Sequence, residues 1–172
     1  VERHDLGFVG EQDVDALANE VDEFDAMTLD AEAVGERERD LTPGRAGDWW
    51  AGQLSADDGR RLVAAFDRRG LCGVVQVIPA GTENQPHRGD VAKMLVAPRA
   101  RRQGLGAALL SAAEACARDM GLSLLVLDTV TGGDAERLYA KGGWTPVGSI
   151  PGYALSTDGR PEATTVFYKA LA

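Results

Sequence analysis

The sequence predicts one mixed α/β domain, and three observations carry that prediction. First, a segment rich in β-branched residues, Asp90–Val96, is stopped by Pro98; after a short basic loop, apolar residues then recur at helical spacing as far as Gly121. Second, the apolar runs Arg61–Phe66 and Leu71–Ile78 flank Asp67-Arg68-Arg69-Gly70, a short polar link closed by glycine, which is a hairpin pattern. Third, 172 residues, 44% hydrophobic and 26% charged, are enough for a single domain spanning 1–172 with its own core.

Taken in order, Arg3 to Val9 forms a short first strand. Val14, Leu17, Val21 and Phe24 make an amphipathic helical stripe, with Asp13 near its start as a cap. The pattern weakens from Asp25 to Gly47, and Asp48–Leu54 predicts a second short helix that buries at least one of Trp49 and Trp50. After the hairpin, Gly81–Arg88 is a loop returning the chain to Asp90. Leu105, Leu109, Ala112, Cys116 and Met120 define the next helix, Leu122–Leu127 a strand, and Asp134–Lys141 a helix broken by Gly142-Gly143. Trp144–Ser149 and Thr164–Lys169 are the last strands, joined by a link rich in turn residues that includes Pro151-Gly152-Tyr153 and Asp158-Gly159-Arg160-Pro161.

The junction at Pro98–Gly106 carries the clearest chemistry. A strand feeds a loop with Arg101, Arg102, Gly104 and Gly106, and the loop opens directly into a helix. Helix N-termini present unpaired N–H groups and a positive dipole end, so this is a phosphate-binding turn. The pattern Arg101-x-x-Gly104-x-Gly106 resembles the acyl-CoA signature of the GCN5-related N-acetyltransferases. Ala135-Glu136-Arg137-Leu138-Tyr139 followed by Gly142-Gly143-Trp144, downstream of Leu127-Asp128-Thr129, resembles that family's second signature. The resemblance implies a single mixed, mostly antiparallel sheet of six or seven strands flanked by about four helices. It also implies acetyl-CoA as cosubstrate, and direct transfer of acetyl to an amine in a ternary complex.

By the same resemblance, the amides of Leu95 and Val96 hold the pantetheine arm. The main chain of Arg102, Gln103, Gly104, Leu105, Gly106 and Ala107, helped by Arg101, cradles the pyrophosphate. Tyr139 matches the tyrosine that serves as general acid toward the CoA sulfur. Asp90 matches a strand position that carries the general base in some members, and Asp128, at a strand end, either anchors the ammonium or acts as base. The asparagine usual three residues before Ala135 is Gly132 here, which leaves Asp134 as cap or cofactor contact and Arg137 within reach of the adenosine phosphates. Glu83 and His87 are weaker acceptor-site candidates, and Tyr153 is a late-loop residue of the acceptor pocket. The segments Ile150–Leu155, Asp158-Gly159-Arg160 and Phe167-Tyr168-Lys169 further resemble the tabtoxin-resistance type of acetyltransferase, implying a small amino-bearing toxin or antibiotic.

Charge and cysteine content narrow the class. The net charge is −9, and residues 1–40 hold 14 acidic against 3 basic side chains. No basic nucleic-acid footprint exists, and the acidity serves either solubility or attraction of a cationic amine. Apolar runs reach about seven residues, far below the roughly 20 of a membrane helix. The expectation is a cytoplasmic protein, monomeric or homodimeric, with Cys72 and Cys116 as reduced thiols. Two distant His residues offer no metal set. A dinucleotide-binding unit is the rival reading of Gly104-Leu105-Gly106 with Asp128; it is disfavoured by the bulk of Leu109 at the third glycine position and by the basic loop between Val96 and Gly104. Two further alternatives are a non-catalytic amine-sequestering or acyl-CoA-sensing relative and a protein or peptide N-acetyltransferase.

Overall fold

The computed structural model describes residues 7–9, 52, 58–156 and 158–172. Their strands are β1 (Gly7–Val9), β2 (Arg61–Asp67), β3 (Gly70–Pro79), β4 (Arg88–Val96), β5 (Leu124–Val130), β6 (Thr145–Leu155) and β7 (Pro161–Ala170). The helices are α1 (Leu105–Asp119) and α2 (Asp134–Lys141), with a 3-10 turn at Pro98–Ala100. The seven strands form one sheet in the order β1-β2-β3-β4-β5-β7-β6. Every neighbouring pair is antiparallel except β4 and β5. About four helices were expected; the described residues hold two full α-helices and the 3-10 turn, while the helix expected at Val14–Phe24 lies outside the described residues, as does that at Asp48–Leu54 except for Gly52, which is helical.

Strand alternation sorts the sheet into two faces. Val63, Val75, Val77, Val91, Leu125, Leu127 and Phe167 join Leu105, Leu109, Leu110, Ala113, Ala117 and Tyr139 in one core under both helices. The opposite face carries a second cluster of Ala64, Leu71, Val74 and Ala97, with Leu62, Phe66 and Leu95 packed against it. On α1 the buried row runs Leu105, Leu109, Ala113, Ala117, whereas Ala112 and Cys116 sit at its margin. The helix is thus rotated slightly from the stripe expected in the sequence. Gly73 lets it approach: a β-carbon there would lie 2.7 Å from Leu109 Cδ1.

A buried polar bridge locks the C-terminal half. Glu114 of α1 accepts hydrogen bonds from Trp144 Nε1 (3.0 Å) and from Lys169 Nζ (2.7 Å to each oxygen), and Lys169 also donates to the Gly142 carbonyl at 2.7 Å. One carboxylate therefore ties α1, the end of α2 and β7 together. β6 is longer than expected. The turn residues Pro151-Gly152-Tyr153 lie within the strand as an irregularity between Ile150 and Ala154, with Gly152 at φ 64°. β5 likewise runs on to Val130, which places Asp128 inside the strand rather than at its end.

Candidate active site

β4 and β5 run in parallel for only three register pairs, Arg88 with Leu124, Gly89 with Leu125 and Asp90 with Val126. Beyond Asp90 the strands part, and a gap opens toward their C-terminal ends. A bulge accompanies the parting: Gln76 pairs Ala92 and Val74 pairs Leu95, so one β3 residue, Val75, faces both Lys93 and Met94. Lys93 takes the strain, with a left-handed φ of 51°. The bulge resets the alternation, turning Met94 and Val96 toward the helices and Leu95 toward the other face.

The turn above the gap is built from the main chain. Ala97 N–H donates to the Cys72 carbonyl at 2.9 Å, anchoring the end of β4, and Pro98 starts the 3-10 turn. Arg101 Nε reaches back to the Val96 carbonyl at 3.0 Å, while Gln103 Nε2 donates to the Arg99 carbonyl at 2.8 Å. Arg102 (φ 62°) and Gly104 (φ 86°) both turn left-handed, and Gly104 is the N-cap of α1 with no side-chain cap bond. Ala108 N–H closes a helical bond to the Gly104 carbonyl at 3.1 Å. Helix geometry therefore leaves the amides of Leu105, Gly106 and Ala107 without intrahelical acceptors. Gly106 serves packing as well as access, since a β-carbon there would sit 3.1 Å from Leu138 Cδ2 of α2.

The second signature folds differently from the expectation in one respect. Asp134 does not cap α2. Gly133 is the N-cap, and Glu136 closes the preceding loop by accepting the Gly132 N–H at 2.8 Å. The Asp134 carboxylate bridges two guanidiniums instead, that of Arg102 at 2.7 Å and that of Arg137. Asp134, Arg137 and Arg102 thus link the start of α2 to the turn before α1, on the exposed surface.

Below the turn, Tyr139 is buried in α2 with its ring 6.1 Å from that of Trp144 and 5.8 Å from that of Phe167. Burial, and secondarily the charge of Asp128, pushes its phenol up to about 12. Asp128 is exposed along one side, yet burial by neighbouring groups and the nearby Asp90 charge raise its carboxyl above the usual range, with Lys93 opposing. Burial lowers the Lys93 ammonium in turn, against the pull of Asp128. Asp90 Oδ1 is ion-paired with Arg88 Nη1 at 2.8 Å.

The fold thus brings Asp90, Lys93, Asp128 and Tyr139 together where the strands part. Glu83 and His87 are exposed on the β3–β4 loop, at the far end of β4 from the turn, where the His87 carbonyl accepts the Ser123 and Leu124 amides at 2.9 and 3.1 Å. Tyr153 is 57% exposed on edge strand β6, two strands across from β5. Lys93 carried no sequence signal, because a bulge depends on pairing with a distant strand. The turn's outer flank, toward the β2–β3 hairpin, holds a cavity of about 290 Å³ lined by Asp67, Arg69, Cys72, Arg99 and Gln103 among others, with no residue of α2. No described helix is long and apolar enough to cross a membrane.

The family model for the acetyltransferase (GNAT) family matches residues 22–144. Solved structures share the fold at low identity. A protein assigned as a phosphinothricin N-acetyltransferase is 19% identical with a TM-score of 0.74, the match covering 97% of this chain and 99% of that one. A ribosomal-protein-alanine N-acetyltransferase from Brucella melitensis is 18% identical, with a TM-score of 0.72 and coverage of 96% and 99%. A protein from Salmonella typhimurium assigned as an acetyltransferase, solved with its cofactor acetyl-CoA, is 19% identical, with a TM-score of 0.72 and coverage of 97% and 94%.

Proposed function

The chain belongs to the acetyltransferase (GNAT) family and is an acetyl-CoA-dependent N-acetyltransferase, and from that premise we propose that its acceptor is the amine of a small, cationic molecule. The observation that carries this reading is the cluster at the strand gap. Asp128 lies near the buried Tyr139 and near Asp90, each close enough for its charge to be felt, and the strand that carries Asp90 leads through the turn into an uncapped helix start. Acetyl-CoA supplies an activated thioester when bound. The amides of Leu105, Gly106 and Ala107, with the dipole of α1, suit its pyrophosphate, and Leu95 and Val96 lie on the gap where a pantetheine arm would run. Arg101 braces the turn and Arg102 is shared with Asp134, so their charges act as a field over the turn more than as dedicated ligands.

The chemistry then divides among three side chains. An alkyl ammonium must lose a proton before it attacks, and a carboxylate raised above its ordinary value is the better base near neutrality. Asp128 fits that role. Asp90, held by Arg88, fits that of a fixed negative charge that attracts the ammonium. Tyr139, with its phenol near 12, keeps its proton throughout the neutral range. A thiol of the cysteine kind titrates near 8.5, so Tyr139 stabilises a departing thiolate by donating a hydrogen bond rather than by full transfer in the ground state. The toxin or antibiotic acceptor drawn from the tabtoxin-resistance resemblance belongs to this proposal, as do a cytoplasmic location and the reduced state of Cys72 and Cys116.

The test is thiol release from acetyl-CoA with a panel of amino acids, polyamines and aminated antibiotics, run beside mass spectrometry of peptides with free N-termini. Turnover of a small amine supports the reading; acetylation of peptides alone replaces it with a protein acceptor. Acetyl-CoA at about 100 times its dissociation constant should add roughly 2.7 kcal/mol of stability, seen as a rise in Tm that NAD does not reproduce.

A further inference from the structure

The cavity on the outer flank of the turn plays no part in the chemistry above. At about 290 Å³ it approaches the ~300–1,000 Å³ of small-molecule pockets, and the exposed Arg69 and Gln103 bring its mouth to solvent. It is separate from the strand gap. Gly106 and Leu110 of α1 face Leu138 of α2 and Gly142 at its end, whereas Gly104 and Ala108, from the opposite side of the helix, line the cavity. Two guanidiniums meet there, Arg69 from the β2–β3 link and Arg99 from the 3-10 turn. The Arg69 guanidinium has no hydrogen-bond or ion-pair partner among the described residues and feels the Asp67 charge only at longer range. Arg99 donates Nε–H to Asp67 at 3.3 Å and Nη2–H to the Leu71 carbonyl at 2.7 Å, which fixes the plane of its guanidinium and leaves Nη1 uncommitted. Asp67 also accepts the Arg69 main-chain N–H at 2.7 Å. The lining therefore carries two positive charges against one negative, on a chain of net charge −9.

We propose that this cavity is a second anion site, binding a small phosphate monoester as an effector separate from acetyl-CoA. A carboxylate offers two oxygens in one plane, which a single guanidinium satisfies. A phosphate offers three oxygens on a tetrahedron, which suits guanidiniums arriving from two elements. The uncapped start of α1 at Gly104 and Leu105 adds the positive end of its dipole. Ala100, Leu105 and Ala108 give an apolar wall for the carbon body of the ester. The bound monoester ties the β2–β3 hairpin to the same turn that offers its amides to acetyl-CoA. Both anions draw on one helix start from opposite flanks, so each weakens the other a few-fold without excluding it. That coupling rests on the placement of the pyrophosphate proposed above; the site itself does not.

The experiment is calorimetric titration of the full chain with glycerol 3-phosphate, alone and under saturating acetyl-CoA, at constant ionic strength. It is repeated with glycerate, a carboxylate of similar size, and with the variants Arg69→Gln and Ala108→Leu; Arg99 is spared because it also holds the Leu71 carbonyl. Wild type should bind the monoester in both states, a few-fold more weakly beside acetyl-CoA, and should bind glycerate more weakly than the monoester. Arg69→Gln should weaken the monoester about tenfold or more, as loss of a hydrogen bond to a charged group does, with Tm unchanged and acetyl-CoA affinity within about twofold. Ala108→Leu, which fills the cavity, should block the monoester and leave acetyl-CoA bound. No binding to wild type, complete displacement by acetyl-CoA, glycerate bound as tightly as the monoester, or undiminished binding to Arg69→Gln each overturns the inference. Monoester binding that acetyl-CoA leaves untouched supports the site and overturns the placement of the pyrophosphate.

Discussion

Tyr139→Phe isolates one hydroxyl. The ring of Tyr139 packs 6.1 Å from Trp144 and 5.8 Å from Phe167, and phenylalanine keeps both contacts, so the helix and its core should survive. Burial pushes the phenol up to about 12, so the phenolate is not populated near neutrality. Removing the hydroxyl therefore removes a donor, not a charge. A hydrogen bond to a charged group contributes about 1.5–3 kcal/mol, so loss of the bond to a departing thiolate should lower kcat roughly 10- to 150-fold. Both KM values should stay near wild type, because the sulfur carries its charge only as the thioester breaks. Stopped-flow or steady-state thiol release, with Tm as the control for folding, reads the result. A kcat within threefold of wild type at an unchanged Tm would refute the donor role of Tyr139.

The raised carboxyl of Asp128 sets a sign for pH dependence. If Asp128 is the base, kcat/KM should climb on a limb lying above the ordinary carboxylate value of about 3.9, and Asp128→Asn should remove that limb together with most of the rate; a pH profile of both proteins decides it. Because the folded value exceeds the unfolded one, Asp128 stabilises the fold most at low pH and loses that contribution as pH rises through the raised value, so Asp128→Asn should gain stability relative to wild type above that window in thermal melts. Glu114→Ala strips Trp144 Nε1 of its acceptor and leaves Lys169 only the Gly142 carbonyl; for a part-buried pair this should cost about 2–3 kcal/mol, a fall in Tm of roughly 4–12 °C by calorimetry.

Much of this protein was legible before any fold was known, for a local reason. The Pro98 stop, the left-handed turn at Gly104 and the uncapped start of α1 are decided by residues within a few positions of one another, and α2 falls at Asp134–Lys141 as its pattern predicts. The same holds for the β2–β3 hairpin, whose link is only a few residues long. Tertiary structure alone decided what depends on distant strands. The bulge at Lys93 exists because β4 pairs β3 out of step, and the gap exists because β4 and β5 part after Asp90. Asp134 was taken from helix capping by Arg102, 32 residues earlier in the chain. The cavity beside the turn has no signal in the sequence either, because Arg69 and Arg99 share a lining only once the β2–β3 hairpin stands beside the start of α1, and which charges meet is set by how the strands pair and not by their spacing along the chain.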